Sequence, residues 1–111
     1  MTLLLEANGE PRGLVAGSRD AHGFSIVQLM AMWVRPDLRA TGAAHALVRS
    51  LKAWAAEVGA TQIRLKVVES NGSARRFYER AGFRATGHKG VVEKSGDIEI
   101  EMTCDVFICD K

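Results

Sequence analysis

An apolar strand that runs through a tight turn straight into an amphipathic helix leaves this chain few folds to choose from. The strand covers residues 24–34, Pro36-Asp37 stops it, and the helix covers residues 43–58. Ala44, Leu47, Val48, Leu51, Ala55 and Val58 recur at three- and four-residue spacing and form one stripe for burial. Arg49, Lys52, Ala53 and Glu57 are expected on the opposite side, and Gly59 stands where a left-handed cap ends a helix. Residues 61–68 follow as a strand, with Ile63, Leu65 and Val67 on one face and Gln62, Arg64 and Lys66 on the other. Strand, helix and strand in this order predict a right-handed parallel crossover.

The flanking segments extend the sheet. Residues 2–7 and 13–18 read as paired strands about a turn at Asn8-Gly9-Glu10-Pro11, with a second turn at residues 20–23. The second half of the long strand is apolar on both faces, which places it inside the sheet. A shorter helix spans residues 73–81, capped by Asn71 and closed by Gly82. Residues 83–92 and 98–107 complete the pattern. In the latter, Ile98, Ile100, Met102, Cys104 and Val106 alternate with Glu99, Glu101, Thr103, Asp105 and Phe107, as in a half-solvated antiparallel strand. The predicted fold is α+β, in the order β-β-β-α-β-α-β-β. Its sheet is mostly antiparallel with one parallel crossover and two helices, in a single domain spanning residues 1–111.

A net charge of +2, spread along the chain, leaves no electrostatic footprint for nucleic acid. No apolar run reaches the length of a membrane span, and Leu3-Leu4-Leu5 is too short for a secretory core. Cys104 and Cys109 would fall on opposite faces of one strand, so separate thiols and a reducing, cytoplasmic setting are expected. Two cysteines are too few for a zinc site, and no metal is expected.

At the turn, Arg39-Ala40-Thr41-Gly42-Ala43-Ala44 opens the long helix. Gly42 lets a ligand approach the backbone, and small neighbours keep that approach clear. Unpaired amides and the helix dipole favour a diphosphate there. On spacing alone, an ordinary helix start with one glycine explains the same residues equally well.

Val34-Arg35-Pro36 followed by Arg39-x-x-Gly42-x-Ala44 resembles the pyrophosphate-binding motif of the GNAT superfamily of N-acetyltransferases: Gln or Arg, two residues, Gly, one residue, then Gly or Ala. Asn71-x-x-Ala74-x-x-Phe77-Tyr78-x-x-x-Gly82-Phe83 is similar to the second signature of that family, in the family's order and spacing. The resemblance covers roughly residues 2–107. Its implication is an acetyl-coenzyme A-dependent transferase acting on an amine of a small molecule or peptide. The backbone of Met32, Trp33 and Val34 would pair with the pantetheine arm. The amides of Arg39, Ala40, Thr41, Gly42, Ala43, Ala44 and His45 would cradle the pyrophosphate. Asn71 would hydrogen-bond the arm, and Tyr78 would lie beside the thioester sulfur as proton donor.

The departures from the family pattern are specific. Ala40 and Ala44 stand where many members have glycine. Lys66 replaces a glutamate that serves as general base in relatives acetylating protein N-termini, so the resemblance does not extend to that acceptor. Members usually begin with a further strand and two helices, and the resemblance implies that this sequence starts after them. No general base stands out: Gln28 and Ser25 lack the chemistry, while Glu69, His22 and His88 read as solvated surface residues. The row Glu99, Glu101 and Asp105 would attract a cation but also fits a wet sheet face. Trp33 borders the expected pocket, whereas Trp54 packs. A non-catalytic coenzyme A-binding or interaction module is the competing reading. An uncovered sheet edge also makes pairing of two copies an expectation.

Overall fold

The computed structural model describes residues 1–19, 25–39 and 41–106; Ala40, His22, Phe24, Phe107 and Cys109 lie outside that set. Six strands form one sheet in the spatial order β1-β2-β3-β4-β6-β5. They are β1 (Thr2–Ala7), β2 (Glu10–Arg19), β3 (Ile26–Val34), β4 (Gln62–Val68), β5 (Arg84–Val91) and β6 (Ile98–Asp105). Helix α1 (Ala43–Glu57) joins β3 to β4, and α2 (Gly72–Arg80) joins β4 to β5. All neighbours are antiparallel except β3 and β4, so the sequence order and the single parallel crossover hold.

The first hairpin turns more tightly than expected. Asn8 and Gly9 both adopt positive φ (55° and 77°), the backbone a two-residue hairpin loop requires. Glu10 and Pro11 therefore belong to β2. Pro11 stands opposite Glu6, next to the slip of the β1–β2 register between Leu5 and Glu6, and sheets tolerate proline at such irregularities.

One face of the sheet carries the core. Ile63, Leu65 and Val67 stand opposite Cys104, Met102 and Ile100, and α1 lays Leu47, Val48, Leu51 and Ala55 on this layer together with Val15 and Val27. Ala44, Val58 and Trp54 pack at its margin. A Cβ built on Gly17 of β2 would lie 2.5 Å from Leu51 Cδ1, itself fully buried. Gly17→Ala should therefore destabilise the fold by about 1–3 kcal/mol through overpacking. Urea unfolding of the two proteins measures the difference.

Two polar residues depart from the expected pattern. Lys52 is not solvated: it is 7% exposed and its ammonium donates to the carbonyl of Ala81, the C-cap of α2, at 2.6 Å. A buried ammonium persists where it meets an acceptor, and the negative end of a helix favours it. Thr103, assigned to the wet face, is buried, and its hydroxyl donates to the Ile63 carbonyl at 3.2 Å. Strand β6 ends at Asp105, short of the expected residue 107, which with position 109 lies outside the described residues. Cys104 is disulfide-bonded, against the expectation of separate thiols.

The feature that shapes the site is a divergence. β3 and β4 pair over only Ile26↔Gln62, Val27↔Ile63 and Gln28↔Arg64, although both strands run on. Next to it, the β2–β3 register steps from Ala16↔Ala31 to Gly17↔Leu29 and leaves Met30 unmatched. Such a bulge bends its strand and steepens its twist. The second half of β3 is consequently less enclosed than its composition suggests, with Met30 66% and Trp33 42% exposed.

Candidate coenzyme cleft

Three elements converge where β3 leaves β4. A 3₁₀ turn at Pro36–Leu38 reverses the chain, held by the amide of Leu38 on the Arg35 carbonyl and by the Thr41 hydroxyl on the Leu38 carbonyl. Arg35 grips Asp37 through both carboxylate oxygens and reaches Glu10 at 3.4 Å. These contacts hold the Asp37 carboxyl below its ordinary range, first by the hydrogen bond from Arg35 and then by its charge. Gly42 follows as the N-cap of α1 at φ 91° and ψ −2°.

Left-handed backbone at Gly42 turns the first amides of α1 outward. Ala46 is the first residue of the helix to close a ring, on the Gly42 carbonyl at 3.0 Å. The amides of Ala43, Ala44 and His45 meet no acceptor among the described residues, as helix geometry dictates for a first turn. A Cβ at Gly42 would meet nothing within 4 Å. Open space, outward amides and the positive end of a helix dipole suit a diphosphate.

Beside this turn lies a cavity of about 540 Å³, lined by Met32, Trp33, Val34, Arg39 and Ala44 on one side and by Asn71, Ser73, Ala74, Phe77, Tyr78 and Arg80 on the other. Met32 and Val34 stand opposite Val15 and Gly13, whereas Trp33 stands opposite Leu14 on the other face of the sheet. Residues from both faces border one cavity, which therefore lies at the end of β3, between that strand and α2. Of the residues singled out in the sequence, Met32, Trp33, Val34, Arg39, Ala44, Asn71 and Tyr78 line it. Thr41, Gly42, Ala43 and His45 form the turn and first helical residues next to it, and Ala40 lies outside the described residues.

Helix α2 supplies the second wall. Asn71 caps it, its side-chain oxygen accepting from the amide of Ala74 at 3.2 Å, which leaves the side-chain NH2 to donate elsewhere. No α2 residue is fully buried. The helix is seated by Lys52 at its C-cap, by the Arg75 guanidinium on the Glu69 carbonyl at 3.1 Å, and by its aromatic side chains. Phe77 meets His45 at a tilt of 54° with ring centroids 4.7 Å apart, and Tyr78 meets Phe77 and Phe83 at 5.3 and 5.6 Å. Tyr78 thus packs and also lines the cavity. No described residue hydrogen-bonds its hydroxyl, and burial raises the phenol above its ordinary pKa of 10.0. Ser73 and Arg80 went unnoticed in the sequence. Their spacing about Phe77, four residues before and three after, puts all three on one helical face, and that periodicity was the available signal.

The remaining titratable candidates gather elsewhere. Lys66, His88, Glu99 and Glu101 border a second cavity of about 90 Å³ with Gly90, Val91 and Ile100. Glu101 accepts from the Thr86 hydroxyl at 3.0 Å, and Asp105 lies 3.6 Å from the Arg84 guanidinium. Glu69 pairs with Lys89 at 2.6 Å, and that hydrogen bond, then the ammonium charge, lowers its pKa. Among the described residues no group of three or more His, Cys, Asp or Glu is placed to hold a metal ion. Among the described residues no helix is long and apolar enough to cross a membrane.

Residues 1–83 match the Acetyltransferase (GNAT) family, and the chain belongs to that family. Uncharacterized N-acetyltransferases of Mycobacterium tuberculosis (strain ATCC 25618 / H37Rv) and Mycobacterium bovis are each 39% identical to it over 61 residues, 55% of this chain. That match spans 39% of each relative's length. Among solved structures, a GNAT-family protein from Desulfovibrio desulfuricans superposes with a TM-score of 0.85 at 20% identity, over 95% of this chain and 68% of its own. A Bacillus anthracis protein solved with acetyl coenzyme A bound gives 0.83 at 21% identity, over 94% and 61%. At these identities the likeness establishes the fold: a mixed six-stranded sheet with two helices in the order β-β-β-α-β-α-β-β.

Proposed function

We propose that this chain transfers the acetyl group of acetyl coenzyme A to an amine of a small molecule or peptide. The observation that carries the reading is the cleft where β3 diverges from β4 beside the outward amides of α1. Family membership supports it.

The residues present fit the coenzyme. Amides from Gly42 to His45 and the N-terminal dipole of α1 bind the diphosphate, with Arg39 adding a cation beside the Val34 carbonyl. Residues 29–34 of β3 have lost β4 as a neighbour, and their edge offers backbone groups to an extended arm as an added strand would. The Asn71 NH2 donates to the same arm. Bound there, acetyl coenzyme A supplies a thioester carbonyl open to attack by an amine. A backbone amide of the bent β3 segment stabilises charge on that carbonyl oxygen. The Tyr78 hydroxyl gives its proton to the departing sulfur, and burial keeps that proton in place at neutral pH. The acceptor's own proton leaves to water, since no described carboxylate or imidazole lines the cleft.

That lack of a base in the cleft favours a second reading, a module that binds the coenzyme without turning it over. Incubation with acetyl coenzyme A and a panel of primary amines, followed by thiol release and the mass of the acetylated amine, separates the two. Amine-dependent thiol release is expected. Tight binding with no release for any amine would leave the binding module.

A further inference from the structure

We infer that Arg80 reads the 3′-phosphate of the coenzyme and gives this protein a preference for coenzyme A over 3′-dephospho-coenzyme A. This rests on the proposed coenzyme cleft and assigns the one charged wall residue that cleft leaves without a task. Among the described residues the charged ones lining the cavity are Arg39 and Arg80, with no carboxylate among them. They stand on different walls. Arg39 lies on the β3 side, with its Nε 3.4 Å from the Val34 carbonyl, next to the amides that suit a diphosphate. Arg80 is the last residue of α2, on the same helical face as Ser73 and Phe77.

Arg80 is exposed and engages no described residue. An unpaired guanidinium facing a cleft is poised for an anion, and its planar fork matches a phosphate. The helix does not require it: a cation in the last turn aids α2 modestly, whichever way the side chain points. The ligand class has two separate anionic centres, a diphosphate and a 3′-phosphate. One helix N-terminus with one arginine answers the first, and Arg80 on the facing wall answers the second.

Titration calorimetry with coenzyme A and with 3′-dephospho-coenzyme A, on the unaltered protein, Arg80→Gln and Arg76→Gln, tests this. Arg76 is a neighbouring exposed cation of α2 outside the cavity lining. The unaltered protein should bind coenzyme A about tenfold tighter than the dephospho form, the size of a charge-assisted phosphate contact. Arg80→Gln should bring the two to within about twofold by weakening coenzyme A alone, whereas Arg76→Gln should keep the preference. The inference is overturned if the unaltered protein binds both forms equally, or if Arg80→Gln weakens both alike, which would put Arg80 on the diphosphate. It is also overturned if Arg76→Gln erases the preference as well, since general charge would then explain it. Failure of both ligands to bind the unaltered protein would instead refute the coenzyme cleft itself.

Discussion

Gly42→Glu should abolish coenzyme binding, weakening it at least a hundredfold, while the protein remains folded. Gly42 sits at φ 91° with nothing within 4 Å of a built Cβ, so a longer side chain enters open space without a clash. The carboxylate would occupy the volume in front of the Ala43, Ala44 and His45 amides and repel a diphosphate from it. A non-glycine residue in left-handed backbone also costs the fold about 1–2 kcal/mol. Gly42→Ala pays that conformational cost without the charge and separates the two effects. Titration calorimetry should show a clear loss for Gly42→Glu, a small one for Gly42→Ala, and similar far-ultraviolet circular dichroism for all three proteins. Equal affinity in Gly42→Glu would mean that the ligand is held elsewhere.

Tyr78→Phe should lower turnover about a hundredfold at neutral pH and leave coenzyme affinity nearly unchanged, as loss of a general acid does. The ring contacts with Phe77 and Phe83 survive the substitution, so α2 keeps its seat. The pH dependence gives the sign. Burial raises the phenol above its ordinary value of 10.0, so the donor stays protonated through neutral and mildly alkaline solution, and its alkaline limb lies above pH 10. The same shift bears on stability. The folded phenol holds its proton more tightly than the unfolded one, so its contribution is complete below about pH 10 and is lost as pH rises through the folded value. Tyr78→Phe removes both effects. A turnover profile and a series of alkaline unfolding curves read them separately. An unchanged rate in Tyr78→Phe would assign the sulfur's proton to another source.

Much of this architecture was legible because burial writes itself as periodicity. The stripe through Leu47, Val48, Leu51 and Ala55 and the alternation of Ile63, Leu65 and Val67 fixed one helix, one strand and the crossover between them. Gly59 and Gly82 adopt the positive φ expected of helix ends. The sequence could not show what depends on distant partners. Lys52 reads as a surface lysine until the Ala81 carbonyl arrives from a segment 29 residues away. Thr103 reads as solvated until the Ile63 carbonyl meets it. The divergence of β3 from β4 leaves no local trace, because it adjoins a bulge at Met30 that exists only in the register with β2. Composition made the end of β3 look enclosed on both faces, yet that divergence opens the cleft. The phosphate turn was weak as a single glycine; it became readable beside the Asn71–Phe83 signature, which folds into the facing wall.

The most direct test is to follow the backbone amides of the ¹⁵N-labelled protein by nuclear magnetic resonance as coenzyme A is added. The resonances of Gly42, Ala43, Ala44 and His45 should move furthest, together with those of Met32, Trp33 and Val34 along the β3 edge, and saturate at one equivalent. Saturation that leaves those seven amides in place while others shift would contradict a diphosphate held at the start of α1.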